Sequence, residues 1–313
     1  MIRVVGVDEF GGPGALKVFE VPERHAGPGE VRIRVHAATV NPTDTYTRNG
    51  DRSEMLKAFP PPYVPGMDVA GVLDEIGDGV GARLSVGDRV MAIVVPSGGH
   101  GGYSESLVLP AASVAHAPVG ASHAEASTLP MNGLTARLSL DLLGLEAGQA
   151  LAVTGAAGAY GGYVVQLAKA DGLRVLADAS EADSPLLGSL GADVVVPRGD
   201  DVADRFLEHA PGGVDALADG AVQNSLVFRA IRDGGGYATV RGYGGELDRA
   251  ITVHAVWVRN YAQEWAKLDR LRQQAEDGAL SLRVAQTFPA ERAGDAHRLL
   301  EAGGVRGRLV LAF

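Results

Sequence analysis

The sequence predicts an α/β protein in which a doubly wound parallel sheet is joined to a β-rich domain, and three observations lead there. An apolar strand, Ala150 to Val153, runs into the glycine-spaced turn Thr154 to Gly162, and a helical pattern leaves it. Strand and helix patterns then alternate for almost a hundred residues, the signature of a parallel sheet covered on both faces. Residues 1 to 117 read differently, with period-two alternation at Val31, Ile33 and Val35 and recurrent glycine and proline punctuation.

The elements follow in order. Met1 to Val7 is a short strand-like segment, and Val31 to Val35 alternates with Arg32, Arg34 and His36 as a half-buried strand. Gly11-Gly12-Pro13, Gly27-Pro28-Gly29, Pro60-Pro61-Pro62 and Gly98-Gly99 break the remainder of this part into loops. After the glycine turn a helix runs from Tyr163 to Ala170 and stops at Gly172, followed by a strand at Arg174 to Ala177. Ser184-Pro185 opens the next helix, with serine as cap and proline in the first turn. A strand at Asp193 to Val196, a polar helix at Asp201 to His209 and a strand at Val214 to Ala218 continue the alternation. A helix at Gln223 to Ile231 and a strand at Tyr237 to Val240 complete it. Ile251 to Val258 alternates as the last strand of the sheet, with Trp257, Tyr261 and Trp265 expected at an interface or in the core. A helical stretch, Asn260 to Asp277, precedes a closing strand at Arg308 to Leu311.

Composition narrows the function classes. A chain of 313 residues with 46% hydrophobic content can bury a large core and splits naturally into two domains. No apolar run is long enough to cross a bilayer and no secretory leader opens the chain, so a cytoplasmic protein without membrane contact is expected. A net charge of −10 without a basic stretch speaks against nucleic acid as a partner. With no cysteine, disulfides, cysteine nucleophiles and thiolate metal ligands are all excluded, and the eight histidines show no metal-ligand spacing. Of these, His100, in a glycine-rich loop, is the one whose titration is worth testing.

The glycine turn carries the clearest chemistry. Gly155 lets the chain leave the strand sharply, Gly158 lets backbone N–H groups approach phosphate oxygens, and Gly161 lets the helix pack closely. Ala156, Ala157, Ala159 and Tyr160 complete a turn at a helix N-terminus, where unpaired N–H groups favour an anion.

Several segments together resemble the medium-chain dehydrogenase/reductase superfamily, and within it the zinc-free quinone oxidoreductases. They are Ala38 to Tyr46, Val64 to Gly71, Val86 to Val90, Gly101 to Glu105, Leu134 to Ala136, and Gly155 to Gly162 followed by Gln166 to Lys169. The resemblance implies a GroES-like domain formed by residues 1–117 and 280–313, with a Rossmann domain, 118–279, inserted between them and a cleft where the two meet. It implies NADPH as cofactor, with NADH the alternative, and a quinone or enone as substrate. It also implies a homodimer, since relatives pair the edge strand corresponding to Ile251 to Val258. Zinc-dependent members carry a cysteine near Asn41 and a Gly-His-Glu where this chain reads Gly66-Met67-Asp68, so a metal-free site is expected.

The resemblance places the acceptor pocket at Asn41, Asp44, Tyr46 and Arg48, with Tyr46 donating to the acceptor oxygen where charge develops. The structural alternative is that Asn41-Pro42 turns the chain and Asp44 caps a helix whose Tyr46 and Arg48 are solvated. Asn132 and Thr135 match the segment that approaches the nicotinamide, or simply satisfy a helix start. Asp183 stands at the family's lysine position and Arg198 at its tyrosine position; for the cofactor's 2′-phosphate Asp178, Glu181 and Asp183 are repulsive, while Arg198 with Ser180 offers charge-assisted hydrogen bonds. The rival functions are an enone or 2-enal reductase with the same cofactor geometry, and a non-catalytic, crystallin-like nucleotide-binding protein.

Overall fold

A computed structural model describes residues 1–245 and 248–313. Its chain forms two compact units: Met1–Met131 with Arg259–Asp277 and Ser281–Phe313, and Asn132–Val258 with Gly278–Leu280. Residues 118–131 and 259–277 thus pack with the first unit, where the sequence reading had assigned them to the second.

The first unit is built on a seven-stranded sheet. Its central strand, Glu30–Thr39, pairs antiparallel with Asp68–Ile76, Arg308–Ala312 and Ser106–Pro110. Arg89–Ile93 and Val114–His116 extend one side, and Val284–Pro289 closes the other. The alternation read at Val31, Ile33 and Val35 directs all three into a core with Val69, Leu73, Val90 and Leu309. Ile2–Gly6 and Lys17–Val21 make a separate hairpin-like pair.

The second unit is a six-stranded, wholly parallel sheet in the order Val194–Pro197, Arg174–Ala179, Ala150–Thr154, Val214–Asp219, Ile231–Thr239, Thr252–Ala255. Read in chain sequence this is 3-2-1-4-5-6, the order that defines the Rossmann fold and puts its switch point at the end of Ala150–Thr154.

Four local expectations change. The helix expected over Gln223 to Ile231 is two short 3₁₀ turns, Asn224–Leu226 and Phe228–Ala230. Left-handed backbone at Val222 and Asn224 and a hydrogen bond from Asn224 N–H to Asp219 Oδ2 at 2.8 Å pin this chain against helical continuation. The strand after it begins at Ile231, six residues earlier than expected; it pairs with Val214–Asp219 at Ile231 and again from Gly236 to Thr239, with an irregularity over the residues between. The helix Ser184–Ser189 has Ser184 already inside it, and Asp183, in the cap position, makes no side-chain capping bond to it. The helical stretch before the closing elements narrows to Trp265–Glu276 after a 3₁₀ turn at Val258–Tyr261. Trp257 and Trp265 stay 52% and 41% exposed, so neither is a core residue, and Trp265 lies under the Arg83 guanidinium at 4.5 Å.

Candidate functional site

In the first unit, the segment resembling the acceptor pocket becomes the helix Pro42–Asn49, with Asn41 as cap and Pro42 in the first turn. Asn41, Asp44 and Arg48 are all buried. The Asp44 carboxylate accepts from Asn41 N–H at 2.8 Å, Gly66 N–H at 3.1 Å and the Tyr103 hydroxyl at 3.0 Å. Burial pushes the Asp44 carboxyl up to about 6, against those donors.

Tyr103 reaches on to His297 Nε2 at 3.1 Å, and His297 Nδ1 lies 3.3 Å from Arg48 Nη1. Arginine has no acceptor, so Nδ1 accepts, Nε2 carries the proton, and His297 is neutral. Burial first, and the Arg48 charge second, push its pKa down to about 3. Arg48 also donates to Gly11 O at 3.1 Å and pairs with Glu301 at 2.6 Å. The expectation that Asp44 caps the helix holds, whereas Arg48 is an interior anchor and not a solvated residue.

Asn41 ties this network to a second one. Its Nδ2 donates to Asp68 Oδ2 at 2.8 Å and its Oδ1 accepts from Arg308 Nη2 at 2.6 Å. Asp68 also accepts from Thr39 at 2.7 Å and from Met131 N–H, and pairs with Arg308 at 3.2 Å. Met67, at the position where zinc-dependent enzymes carry histidine, accepts from Thr43 at 3.2 Å through its sulfur. The side chains that replace the metal ligands are therefore an amide, a thioether and a carboxylate already answered by an arginine. No group of three metal-binding side chains occurs among the described residues. Tyr46, on the same helix, is half-buried, and the Arg52 guanidinium lies over its ring at 5.8 Å. His100, half-buried, is pushed down to about 4 by burial and by Arg24, so it is neutral near pH 7.

The second unit holds the remaining candidates. Gly155 has φ +62°, and a Cβ there would meet Gly220 C at 2.9 Å, so the turn requires glycine. At Gly161 a Cβ would lie 2.4 Å from Gly155 O and 2.7 Å from Ala156 Cα, which makes Gly161 the close-packing glycine of the turn itself. A Cβ at Gly158 would meet only Gly155 O, at 3.1 Å, and its face is otherwise open.

Gly158 N–H is spent on Gly155 O at 3.0 Å, and the first bond inside the helix Ala159–Ala170 runs from Gly162 N–H to Gly158 O. Ala159, Tyr160 and Gly161 consequently present the first-turn N–H groups that helical geometry leaves for an anion. Tyr160 turns its hydroxyl inward to Ser139 Oγ at 2.8 Å and lays its ring against Gly220. Asn132 and Thr135 are buried near the start of the helix Pro130–Leu143.

Sequence reasoning did not find the role of Asp178. It is buried, and its carboxylate takes the Ala156 N–H at 3.1 Å, holding the glycine turn from the neighbouring strand. Burial raises its pKa, while the Ala156 and Gly155 N–H groups and the Arg198 charge lower it. Asp219 holds the other side, accepting from Thr154 at 2.5 Å and from Tyr237 at 2.6 Å. Their position at the ends of strands flanking the turn was the available signal. Ser180 donates to the buried Asp183, so that hydroxyl proton is not available to a phosphate. Arg198 is exposed, and its main-chain N–H is bonded to Ala179 O at 2.8 Å, which sets this residue beside the end of the second strand.

A GroES-like fold in one unit and a Rossmann sheet with an anion-ready helix start in the other define a nicotinamide-dependent oxidoreductase of the medium-chain type. Known proteins agree. An alcohol dehydrogenase GroES-like domain matches residues 27–119 and a zinc-binding dehydrogenase domain matches 190–311. Quinone oxidoreductase of Rattus norvegicus is 30% identical over 337 aligned positions, covering 99% of this chain and 98% of that protein. Among solved structures, an NAD-dependent alcohol dehydrogenase superposes with a TM-score of 0.87 at 31% identity, covering all of both chains. The quinone oxidoreductase of Coxiella burnetii gives 0.84 at 26%, covering 100% of this chain and 99% of that one. The chain belongs to the quinone oxidoreductase branch of the medium-chain dehydrogenase/reductase superfamily.

Proposed function

We propose that the protein is an NADPH-dependent reductase that passes hydride to a quinone or related conjugated carbonyl without a metal. The observation that supports it best is the glycine turn. Gly155 and Gly161 are demanded by close backbone contacts, Gly158 leaves its face open, and the helix keeps first-turn N–H groups for a pyrophosphate. Asp178 locks the turn from the side, and Arg198 supplies an exposed guanidinium suited to a 2′-phosphate. When bound, the nicotinamide supplies the hydride. The protein's own part is to orient it, with Asn132 and Thr135 toward the ring, and to place a donor, Tyr46, for the acceptor oxygen. Asn41, Asp44 and Arg48 act by fixing the helix that bears Tyr46.

Zinc chemistry does not suit the donors present. Asn41 and Asp68 are bonded to each other and to Arg308, and a thioether completes the set. The reading includes a cytoplasmic homodimer joined through the edge strand Thr252–Ala255.

The test is oxidation of NADPH and NADH against a panel of quinones, enones and aldehydes, repeated after exhaustive chelation, with light scattering for the mass. Quinone-dependent NADPH oxidation that survives chelation, from a dimer, is expected. Binding without turnover of any acceptor would favour a non-catalytic role, and a loss of rate that zinc restores would overturn the metal-free reading.

A further inference from the structure

Asparagine followed by glycine occurs twice in this chain, at Asn49-Gly50 and Asn132-Gly133. The pairing matters chemically because a glycine N has no neighbouring Cβ to hinder its approach to the asparagine Cγ, and the ring that closes has five members. The two copies sit in opposite surroundings. Asn132 is 8% exposed inside the helix Pro130–Leu143. Asn49 is exposed, the last residue of the helix Pro42–Asn49, and Gly50 follows it in the left-handed region at φ +92°.

The local hydrogen bonds favour attack at Asn49. Its Oδ1 accepts from Asp51 N–H at 3.0 Å, which draws electrons from Cγ and is placed to stabilise an oxyanion there. Its Nδ2 is held by Asp51 Oδ2 at 2.9 Å, fixing the rotamer. Gly50 N–H has no hydrogen-bond acceptor among the described residues, so no bond must break before that nitrogen reacts.

We propose that Asn49 and Gly50 form a self-modification site. The Gly50 nitrogen gives its proton to solvent and bonds to Asn49 Cγ. Nδ2 takes a proton from solvent as the Cγ–Nδ2 bond breaks, leaving as ammonia, and water opens the succinimide at either carbonyl to leave aspartate or isoaspartate. No electron transfer is involved. Isoaspartate carries the main chain through an added methylene, next to the place where Arg48 O holds Gly11 N–H at 3.0 Å and Tyr46 O holds Arg52 N–H at 3.2 Å. The modification therefore loosens the end of the helix that bears Tyr46 and Arg48. This consequence, unlike the site itself, rests on the proposed role of Tyr46.

The experiment ages the full-length protein at mildly alkaline pH and follows both asparagines by peptide mass spectrometry with isoaspartate detection. Acid forms at residue 49 should accumulate at least about tenfold faster than at Asn132, which a buried helix protects, and Asn49→Gln should show none at that position. Equal or slower conversion at 49 overturns the proposal. In parallel, the acceptor KM of aged wild type should rise relative to aged Asn49→Gln, with NADPH affinity equal in both. Conversion at 49 with an unchanged acceptor KM upholds the site and counts against Tyr46 as the acceptor's partner.

Discussion

Around Asn41 the first unit crowds together polar side chains that answer one another, while around Gly155 the second unit clears side chains away and leaves main-chain donors at a helix start. The contrast separates two meanings of polarity in a sequence. Asn41, Asp44, Arg48, Asp68, Tyr103, His297 and Arg308 look like a catalytic constellation, yet most of their hydrogen-bonding capacity is used internally. The glycine turn has little side-chain chemistry, and for that reason its backbone can serve a ligand. Specific polar side chains hold a helix in place in one unit; their absence leaves main-chain donors uncovered in the other.

The sharpest way to break this contrast is to cut the buried pair. Asp68→Ala leaves Arg308 and the Asn41 amide buried without their common partner, and losing one member of such a pair costs about 3–5 kcal/mol. Urea unfolding measures it. A loss below about 1 kcal/mol, the range of exposed pairs, would mean that the network is dispensable and its residues are free for other work.

The glycines sharpen the other side. Gly161→Ala places a Cβ against backbone that cannot yield and should destabilise by about 1–3 kcal/mol, the usual cost of overpacking. Gly158→Val should leave the unfolding midpoint nearly unchanged and weaken dinucleotide binding, because the open face is the one a phosphate approaches. Calorimetric titration beside thermal melts separates the two. If Gly158→Val binds as well as wild type, the turn is only a turn.

These cases also show how far the sequence could be read. The parallel sheet was legible because strand and helix periods alternate without a break, and the turn because glycine spacing reflects steric contacts that involve few residues. The 3₁₀ turns at Asn224–Leu226 and Phe228–Ala230 were not, since Asp219, a neighbour only in the fold, decides them. Nor was the burial of Arg48 legible, because its partners His297 and Glu301 lie some 250 residues away along the chain.

Cofactor preference follows at a similar scale. Removing one charge-assisted hydrogen bond costs about 1.5–3 kcal/mol, so Arg198→Ala should raise the NADPH KM and spare the NADH KM. The structure changes the companion variant that sequence alone suggests. Asp183 is buried and accepts from Ser180, so Asp183→Lys would bury a cation, and Asp183→Asn is the cleaner removal of charge. Equal weakening of both cofactors by Arg198→Ala would make it a solvated loop residue.

The acid response belongs to the first unit's network. His297 has a folded pKa of about 3 against 6.5 ordinarily. As pH falls below 6.5 the unfolded chain takes the proton first, so stability is lost, by about 2 kcal/mol at pH 5. Asp44 works in the opposite sense. Its folded pKa of about 6 lies above the ordinary 3.8, so the folded chain takes the proton first and gains about 1 kcal/mol over the same interval. His100 and His123, each pushed down to about 4 by burial first, add to the histidine side, so the wild type should lose stability between pH 7 and 5. His297→Gln keeps a donor and an acceptor for Tyr103 and Arg48 but cannot titrate, and should make that slope shallower. Asp44→Asn removes the opposing gain and should make it steeper. Melting curves across this range decide: three parallel lines would show that the buried relay titrates alike in the folded and unfolded chain, and that its interior position carries no electrostatic cost.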